Sequence, residues 1–274
     1  MDDRACVEFL QWALPGLRMR WEGFRKVRRQ VCKRIGRRLQ ALQMQDIAAY
    51  RDYLQSHREE WAVLDGLCRI TISRFFRDRP VFSALQSLIL PESAQRMTRR
   101  GETVLRLWSA GCAAGEEPYS LSILWELDVK GRAADEQTKI EIIATDSDQR
   151  LLDRAAAACY PYSSVKNIPA DWRRRAFLEN DGEFSLRPSF SRHVAFICQD
   201  VRIATPPGLF DLILCRNLVF TYFDADLQSR ILRRLANVLQ PGGLLVVGIH
   251  ETLPKDYDGF AARSQRLGIY QRRL

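Results

Sequence analysis

The chain has 274 residues, of which 46% are hydrophobic and 27% charged, so it is not a largely disordered chain and is long enough for one large domain or two modest ones. Its 42 Lys and Arg outweigh 33 Asp and Glu, an excess of +9 that points to an acidic partner: nucleic acid, an anionic membrane or an acidic protein face. No apolar run reaches the roughly 20 residues that span a bilayer, so no membrane insertion is expected, and the acidic start Met1-Asp2-Asp3-Arg4 does not read as a secretory signal.

The charge excess is concentrated. Between residues 18 and 38 stand ten Lys and Arg against the single acid Glu22. Phe24, Val27, Val31, Ile35, Leu39 and Leu42 recur there at three- and four-residue steps, which predicts a helix over 24–42 with an apolar stripe and a basic remainder. Further helical patterns follow at about 44–56 and 58–70. Residues 1–85 therefore read as a small helical domain, and 86–100 as a linker, on the polar stretch around Pro91 to Gly101.

The pattern changes at about residue 101. Val104–Trp108, Ile140–Thr145, Val194–Cys198, Leu212–Cys215 and Leu244–Ile249 read as strands. Helical patterns at Glu116–Leu127, Leu151–Cys159 and Leu227–Leu239 alternate with them, and Pro241-Gly242-Gly243 reads as the stop after the last helix. Alternating strands and helices predict an α/β domain over 101–274 with a parallel, doubly wound sheet. The polar region 160–192 interrupts the rhythm, with a possible hairpin near Glu179-Asn180-Asp181-Gly182.

Seven scattered cysteines without a C-x-x-C pair predict free, buried thiols in a reducing cytoplasm. Three distant histidines offer no local metal-ligand spacing, and no metal is expected. Three segments carry candidate chemistry. Gly111-Cys112-Ala113-Ala114-Gly115-Glu116-Glu117 joins a strand to a helix, and its small residues and helix N-terminus could receive a ligand. The plainer alternative is that Glu116 and Glu117 complement the helix dipole with Pro118 in the first turn. Asp146, after the second strand, stands where an acid often binds ribose hydroxyls; alternatively Asp146 or Asp148 caps the next helix, and the two acids can divide these roles. Asp211 to Asn217 is a strand that delivers Arg216 and Asn217 at its carboxyl end, where open α/β sheets bind ligands. A surface charge and a turn residue are the alternative there.

Several segments together resemble the CheR-type chemotaxis-receptor methyltransferases, which use S-adenosylmethionine. They are Thr71-Ile72-Ser73-Arg74-Phe75-Phe76-Arg77-Asp78, Leu107 through Ser120 with its Gly-Glu-Glu-Pro-Tyr-Ser run, Ala144 through Asp148, Cys215-Arg216-Asn217 with Tyr222-Phe223, and Pro241-Gly242-Gly243. The resemblance runs through nearly the whole chain, in the family's order. It implies a Rossmann-like methyltransferase sheet behind the helical domain, with a small inserted subdomain at 160–192. It also implies roles: Arg77 for the methionyl carboxylate, Thr71 and Ser73 as small polar contacts, Gly111 in the loop, and Glu117 toward the amino acid portion. Asp146 would take the ribose, Asp200 and Val201 would lie beside the adenine, and Arg216, Asn217 and Tyr222 would border the transferred methyl. Asp200 and Thr71 stand where the family commonly has asparagine. Between Asn217 and Tyr222 there is one residue more than the usual spacing, so Thr221 or Tyr222 could point into the site.

The implied activity is that of a protein-glutamate O-methyltransferase: a monomeric, cytoplasmic enzyme forming methyl esters on chemoreceptor helices. Arg28, Arg29, Lys33 and Arg37 would dock such an acidic helical substrate. Competing readings are a related methyltransferase with another acidic substrate, and a non-catalytic regulator that binds cofactor or nucleic acid. The basic segment lacks interleaved aromatics for base stacking, so nucleic acid is not the expected partner.

Overall fold

Hydrophobic periodicity builds a helical unit from two separate stretches of the chain. In the computed structural model, residues 2–133 and 138–273 are described; Met1 and Leu274, the outer bounds of the two expected domains, lie outside them. One unit comprises residues 1–71 and 219–228, and the other comprises 72–218 and 229–274. The expected boundary near residue 85 thus moves to 71, and the first unit takes up a segment from far along the chain.

Helices Asp3–Gly16, Trp21–Phe24, Arg28–Ala41, Ile47–Ser56 and Glu60–Cys68 form the first stretch of that unit. The helix expected over 24–42 is shorter, because the chain breaks after Phe24 and restarts at Arg28. Its stripe is as expected: Val31, Ile35 and Leu39 are buried against the interior. The long-range segment Val219–Gln228 closes the unit. Phe24 packs on Tyr222 with ring centroids 5.1 Å apart, and Arg20 N–H donates to Tyr222 O at 2.9 Å. Arg18 bridges Asp224 and Asp226 at 2.5 and 2.6 Å.

Two expectations about the thiols fail in this structure. Cys6 and Cys32 form a disulfide between the first helix and the basic helix, a pairing set by tertiary contact and invisible in sequence spacing. Of the other five, Cys68, Cys112 and Cys215 are buried, whereas Cys159 and Cys198 are exposed.

The second unit opens with a helical run, Arg79–Ala84, a π-helical turn Leu85–Ile89, and Leu90–Arg99. The stretch 86–100 is therefore helix rather than linker; Leu90, Ala94 and Met97 form its buried stripe. Strand β1 (Val104–Ala110) leads to helix Glu116–Leu124, and β2 (Lys139–Asp146) to helix Gln149–Ala157. The region 160–192 contributes β3 (Cys159–Pro161), β4 (Phe177–Asn180) and β5 (Glu183–Leu186), which pair antiparallel in the order β3-β5-β4. The hairpin turns at Asp181 and Gly182, both with positive φ (48° and 78°).

Then come β6 (Val194–Cys198), β7 (Phe210–Leu214), β8 (Leu239–Val246), β9 (Phe260–Ser264) and β10 (Ile269–Arg272). The main sheet runs β6-β2-β1-β7-β8-β10-β9. Its first five strands are mutually parallel, and β10 and β9 add antiparallel. Pro241-Gly242-Gly243 lies inside β8 and does not end a helix. A Cβ at residue 243 would stand 2.8 Å from Gln240 O and 3.2 Å from Asp211 O, so the strand passes too close to its surroundings for any side chain there. The order reverses at β1, with β2 on one side and β7 on the other, which opens a crevice at the carboxyl ends of these strands.

Candidate active site

The turn after β1 is tied to the end of β2. Gly111 N–H and Cys112 N–H both donate to Thr145 O, at 2.8 and 2.9 Å. Asp146 accepts from Ala113 N–H at 2.9 Å through one oxygen and from Asp148 N–H at 3.0 Å through the other. Its carboxylate thus holds Ala113 in a left-handed conformation, φ 50°. Asp148 accepts from Arg150 N–H and caps the following helix. Asp148 is thus the helix cap, and Asp146 anchors the glycine loop.

Gly115, at φ 88°, starts the helix that carries Glu116 and Glu117. A Cβ at Gly115 would lie 2.9 Å from the Ala155 methyl, and one at Gly111 would lie 2.5 Å from Leu218 Cδ2. Both positions therefore demand glycine for packing as well as for conformation. Both glutamates stand in the first helical turn, where the dipole favours them, yet each is used further.

Glu117 accepts from Ser109 Oγ at 2.8 Å and from Arg216 Nη1 at 3.0 Å. Arg216 Nη2 donates to Asp78 at 2.7 Å and to Arg77 O at 3.0 Å. The Arg216 side chain is 2% exposed and stands 5.6 Å from the centre of the Phe82 ring. One buried cation therefore joins the Arg77-Asp78 corner, the glycine loop helix and the end of β7. The alternative of a surface charge is excluded by that burial.

Ser120 Oγ accepts from Phe76 N–H at 2.9 Å and donates to Glu116 O at 2.6 Å, which pins the Ser73–Asp78 segment to the same helix. Glu116 is 4% exposed, and burial pushes its carboxyl above the ordinary range, while a hydrogen bond from Ser73 opposes the shift. Among the described residues, two buried polar atoms here have no hydrogen-bond partner: Glu116 Oε2 and Arg216 Nε.

The remaining expected residues are placed as follows. Arg77 is half-buried and donates from Nη1 to Ile72 O at 2.6 Å. Asp200 follows β6, next to β2, and its carboxylate is engaged by the Arg202 guanidinium at 2.7 to 3.1 Å; Val201 is buried. Asn217 adopts φ 54° at the end of β7. Thr71, exposed, is the last residue of the first stretch of the helical unit, and Tyr222 belongs to that unit as well. On the basic helix Arg29, Lys33 and Arg37 are exposed, whereas Arg28 is half-buried and pairs with Asp3 at 3.0 Å.

Sequence reasoning assigned no role to Asp78, Ser109 or Glu251. Asp78 ends the Thr71–Asp78 segment, which is a usable signal. Glu251 follows the last parallel strand, where any acid merits attention. Ser109 lies within the Leu107–Ser120 segment of the resemblance.

Residues 71–269 match the family described as CheR methyltransferase, SAM binding domain, and residues 26–64 match CheR methyltransferase, all-alpha domain. The chemotaxis protein methyltransferase of Salmonella typhimurium is 32% identical over 246 residues, which covers 87% of this chain and 81% of that protein. The chemotaxis protein methyltransferase of Listeria innocua is 32% identical over 213 residues, or 76% of this chain and 77% of that protein. An uncharacterized 104.1 kDa protein in the hypE 3′ region of Rhodobacter capsulatus is 34% identical over 242 residues; the chain is matched over 88% of its length but spans only 25% of that protein. With both family domains matched in order, and the glycine loop and Arg216 cluster inside the larger one, the chain belongs to the CheR methyltransferase family and its cofactor is S-adenosylmethionine.

Proposed function

We propose that the chain methylates glutamate carboxylates on the acidic cytoplasmic helices of chemoreceptors, acting as a cytoplasmic monomer. The observation that carries the reading is the polar set at the strand ends: the glycine loop, Asp146, and buried Arg216 with Glu117 and Asp78. These residues fit the cofactor. Arg216 Nε and Glu116 Oε2 retain unused hydrogen-bonding capacity in a buried setting, which a polar ligand relieves. Asp146, whose carboxylate anchors Ala113 at the end of β2, would take the ribose diol. Asp200 takes four contacts from Arg202, two on each oxygen, so it would flank the adenine, with Val201, by giving one of them up. Arg77 has five N–H donors and can hold the methionyl carboxylate while bonded to Ile72 O. Ser73 adds a small polar contact, and Glu117 faces the amino acid portion.

When bound, S-adenosylmethionine supplies a methyl group on a cationic sulfur; a C–O bond forms as the C–S bond breaks. A glutamate acceptor has an ordinary pKa near 4.3 and is already an anion at neutral pH, so no residue has to remove a proton. The contribution of the chain is alignment, which supplies on the order of 7–11 kcal/mol in well-oriented reactions. Arg216 keeps a fixed positive charge at the reacting edge. Arg29, Lys33 and Arg37, exposed on the basic helix, attract the acidic substrate across water.

The test supplies tritiated S-adenosylmethionine and a chemoreceptor cytoplasmic fragment. Base-labile label on the fragment is expected, with rates that fall as salt rises over a Debye length of about 8 Å at physiological strength. Reversing Arg29, Lys33 and Arg37 to Glu should raise the KM for the fragment and flatten the salt curve. Label that resists base, or no label at all, overturns the glutamate reading; superimposable salt curves overturn the docking role alone.

A further inference from the structure

Glu251 sits in the turn that follows β8, with its own N–H bonded to Gly248 O at 2.8 Å. Only 4% of the residue is exposed. Its side chain faces away from the surface and gathers three backbone donors. Oε2 accepts from Asn217 N–H at 2.8 Å and from Gly248 N–H at 2.6 Å, and Oε1 accepts from Leu218 N–H at 3.1 Å. The turn it grips is the one that carries Arg216 and Asn217 out of β7.

That turn needs a grip. Asn217 holds a left-handed backbone, which a non-glycine residue adopts only at some cost. One buried and two part-buried N–H groups converge at one place, and each would be costly to leave unpaired. A carboxylate is the one common side chain that offers two oxygens and no donor. Space is matched as tightly: a Cβ at Gly248 would lie 2.8 Å from both Asn217 Oδ1 and Glu251 Oε2. The next residue in the turn, Leu218, packs its side chain over Gly111. A continuous mechanical path thus runs from the end of β8, through the carboxylate and Leu218, to the loop after β1.

We propose that Glu251 is a positioning residue for methyl transfer: its carboxylate sets the Asn217–Leu218 turn and, through it, the placement of Arg216, Asn217 and the glycine loop around the cofactor. The proposal rests on the reading of Arg216 and Asn217 as cofactor neighbours, and it does not depend on which protein is methylated.

The experiment measures S-adenosylhomocysteine binding by calorimetry for wild type, Glu251→Gln, Glu251→Asp and Asn217→Gly. A glutamine keeps one oxygen but turns an NH2 group against a backbone N–H, so its affinity should fall about tenfold or more, as for loss of a hydrogen bond to a charged group. Glu251→Asp keeps the charge one methylene short and should fall between; it stands in if the glutamine variant does not fold. Ser122→Ala, which removes a buried hydrogen bond to Phe190 O at 2.6 Å, is the control for general destabilisation. A positioning role also predicts a raised KM for S-adenosylmethionine with an unchanged KM for the protein substrate. Wild-type affinity in Glu251→Gln with weakened binding in Asn217→Gly overturns the proposal and leaves the cofactor reading intact. Wild-type affinity in both overturns the cofactor reading with it. Equal losses in Glu251→Gln and Ser122→Ala overturn the proposal by making the role one of stability.

Discussion

Replacing Arg216 by methionine keeps roughly the length of the side chain and removes its charge. The guanidinium is the shared partner of Glu117 and Asp78, whose side chains are 17% and 21% exposed, and it is itself 2% exposed. Breaking a buried ion pair by deleting one partner costs about 3–5 kcal/mol, because the remaining charge stays desolvated. Both acids here keep a route to water, so the lower end, about 3 kcal/mol, is the appropriate figure. For a body of 150–250 residues each kcal/mol shifts Tm by roughly 2–4 °C, so a drop of about 6–12 °C is expected. Lysine restores the charge but cannot span both acids and the Arg77 carbonyl, so it should recover part of the loss. Scanning calorimetry with and without S-adenosylhomocysteine measures both effects. The wild-type shift on adding ligand should shrink in the methionine variant. A Tm within about 2 °C of wild type would refute the argument, since a buried cation between two carboxylates cannot be removed so cheaply.

The thiols and the helical unit give two further tests. Burial, reinforced by Asp146 and Glu117, pushes the Cys112 thiol well above its ordinary range, so it is not a thiolate at neutral pH. Cys112→Ala should keep turnover within a few-fold, and iodoacetamide read by mass spectrometry should label exposed Cys159 and Cys198 before Cys112. In the helical unit, hydrogen bonds from Arg38 at 2.6 and 2.8 Å, and from Tyr50 at 2.7 Å, hold Glu60 below its usual 4.5 despite burial. A depressed carboxylate stabilises the fold fully above the unfolded value and loses that contribution as pH falls through the folded one. Stability of wild type should therefore decline below about pH 4.5 more steeply than that of Glu60→Gln, as followed by urea unfolding across pH.

The sheet was legible in the sequence because its strands are short apolar runs ended by polar residues, as at Asp146 and Arg216. The basic helix was legible because Val31, Ile35 and Leu39 keep their period amid charge. Pro241-Gly242-Gly243 misled because two strand-breaking residue types sit where the main chain passes unusually close to Gln240 and Asp211. The helix over Leu90–Arg99 was obscured by its polar majority, although Leu90, Ala94 and Met97 keep a helical stripe. At the site, the short motifs indicated which residues gather there. They could not indicate how one guanidinium is shared among Glu117, Asp78 and the Arg77 carbonyl, because those partners lie 99 to 139 residues away. Glu251 and the Cys6–Cys32 bond share that property: both are fixed by three-dimensional proximity alone.

The excursion of Val219–Gln228 into the helical unit has a consequence for how the chain matures on the ribosome. The helices of residues 1–71 emerge first, yet Phe24 lacks the Tyr222 ring and Arg18 lacks Asp224 until more than 200 residues have been made. Domains normally fold in the order of synthesis, from the N-terminus onward. Here the earlier-made part must wait, with an apolar face uncovered, for a later one. Transplanting residues 1–71 as a cassette would carry the same defect permanently: the fragment would be missing a ten-residue piece of its own interior, and grafting only the contiguous helices onto another methyltransferase would transfer an unfinished module.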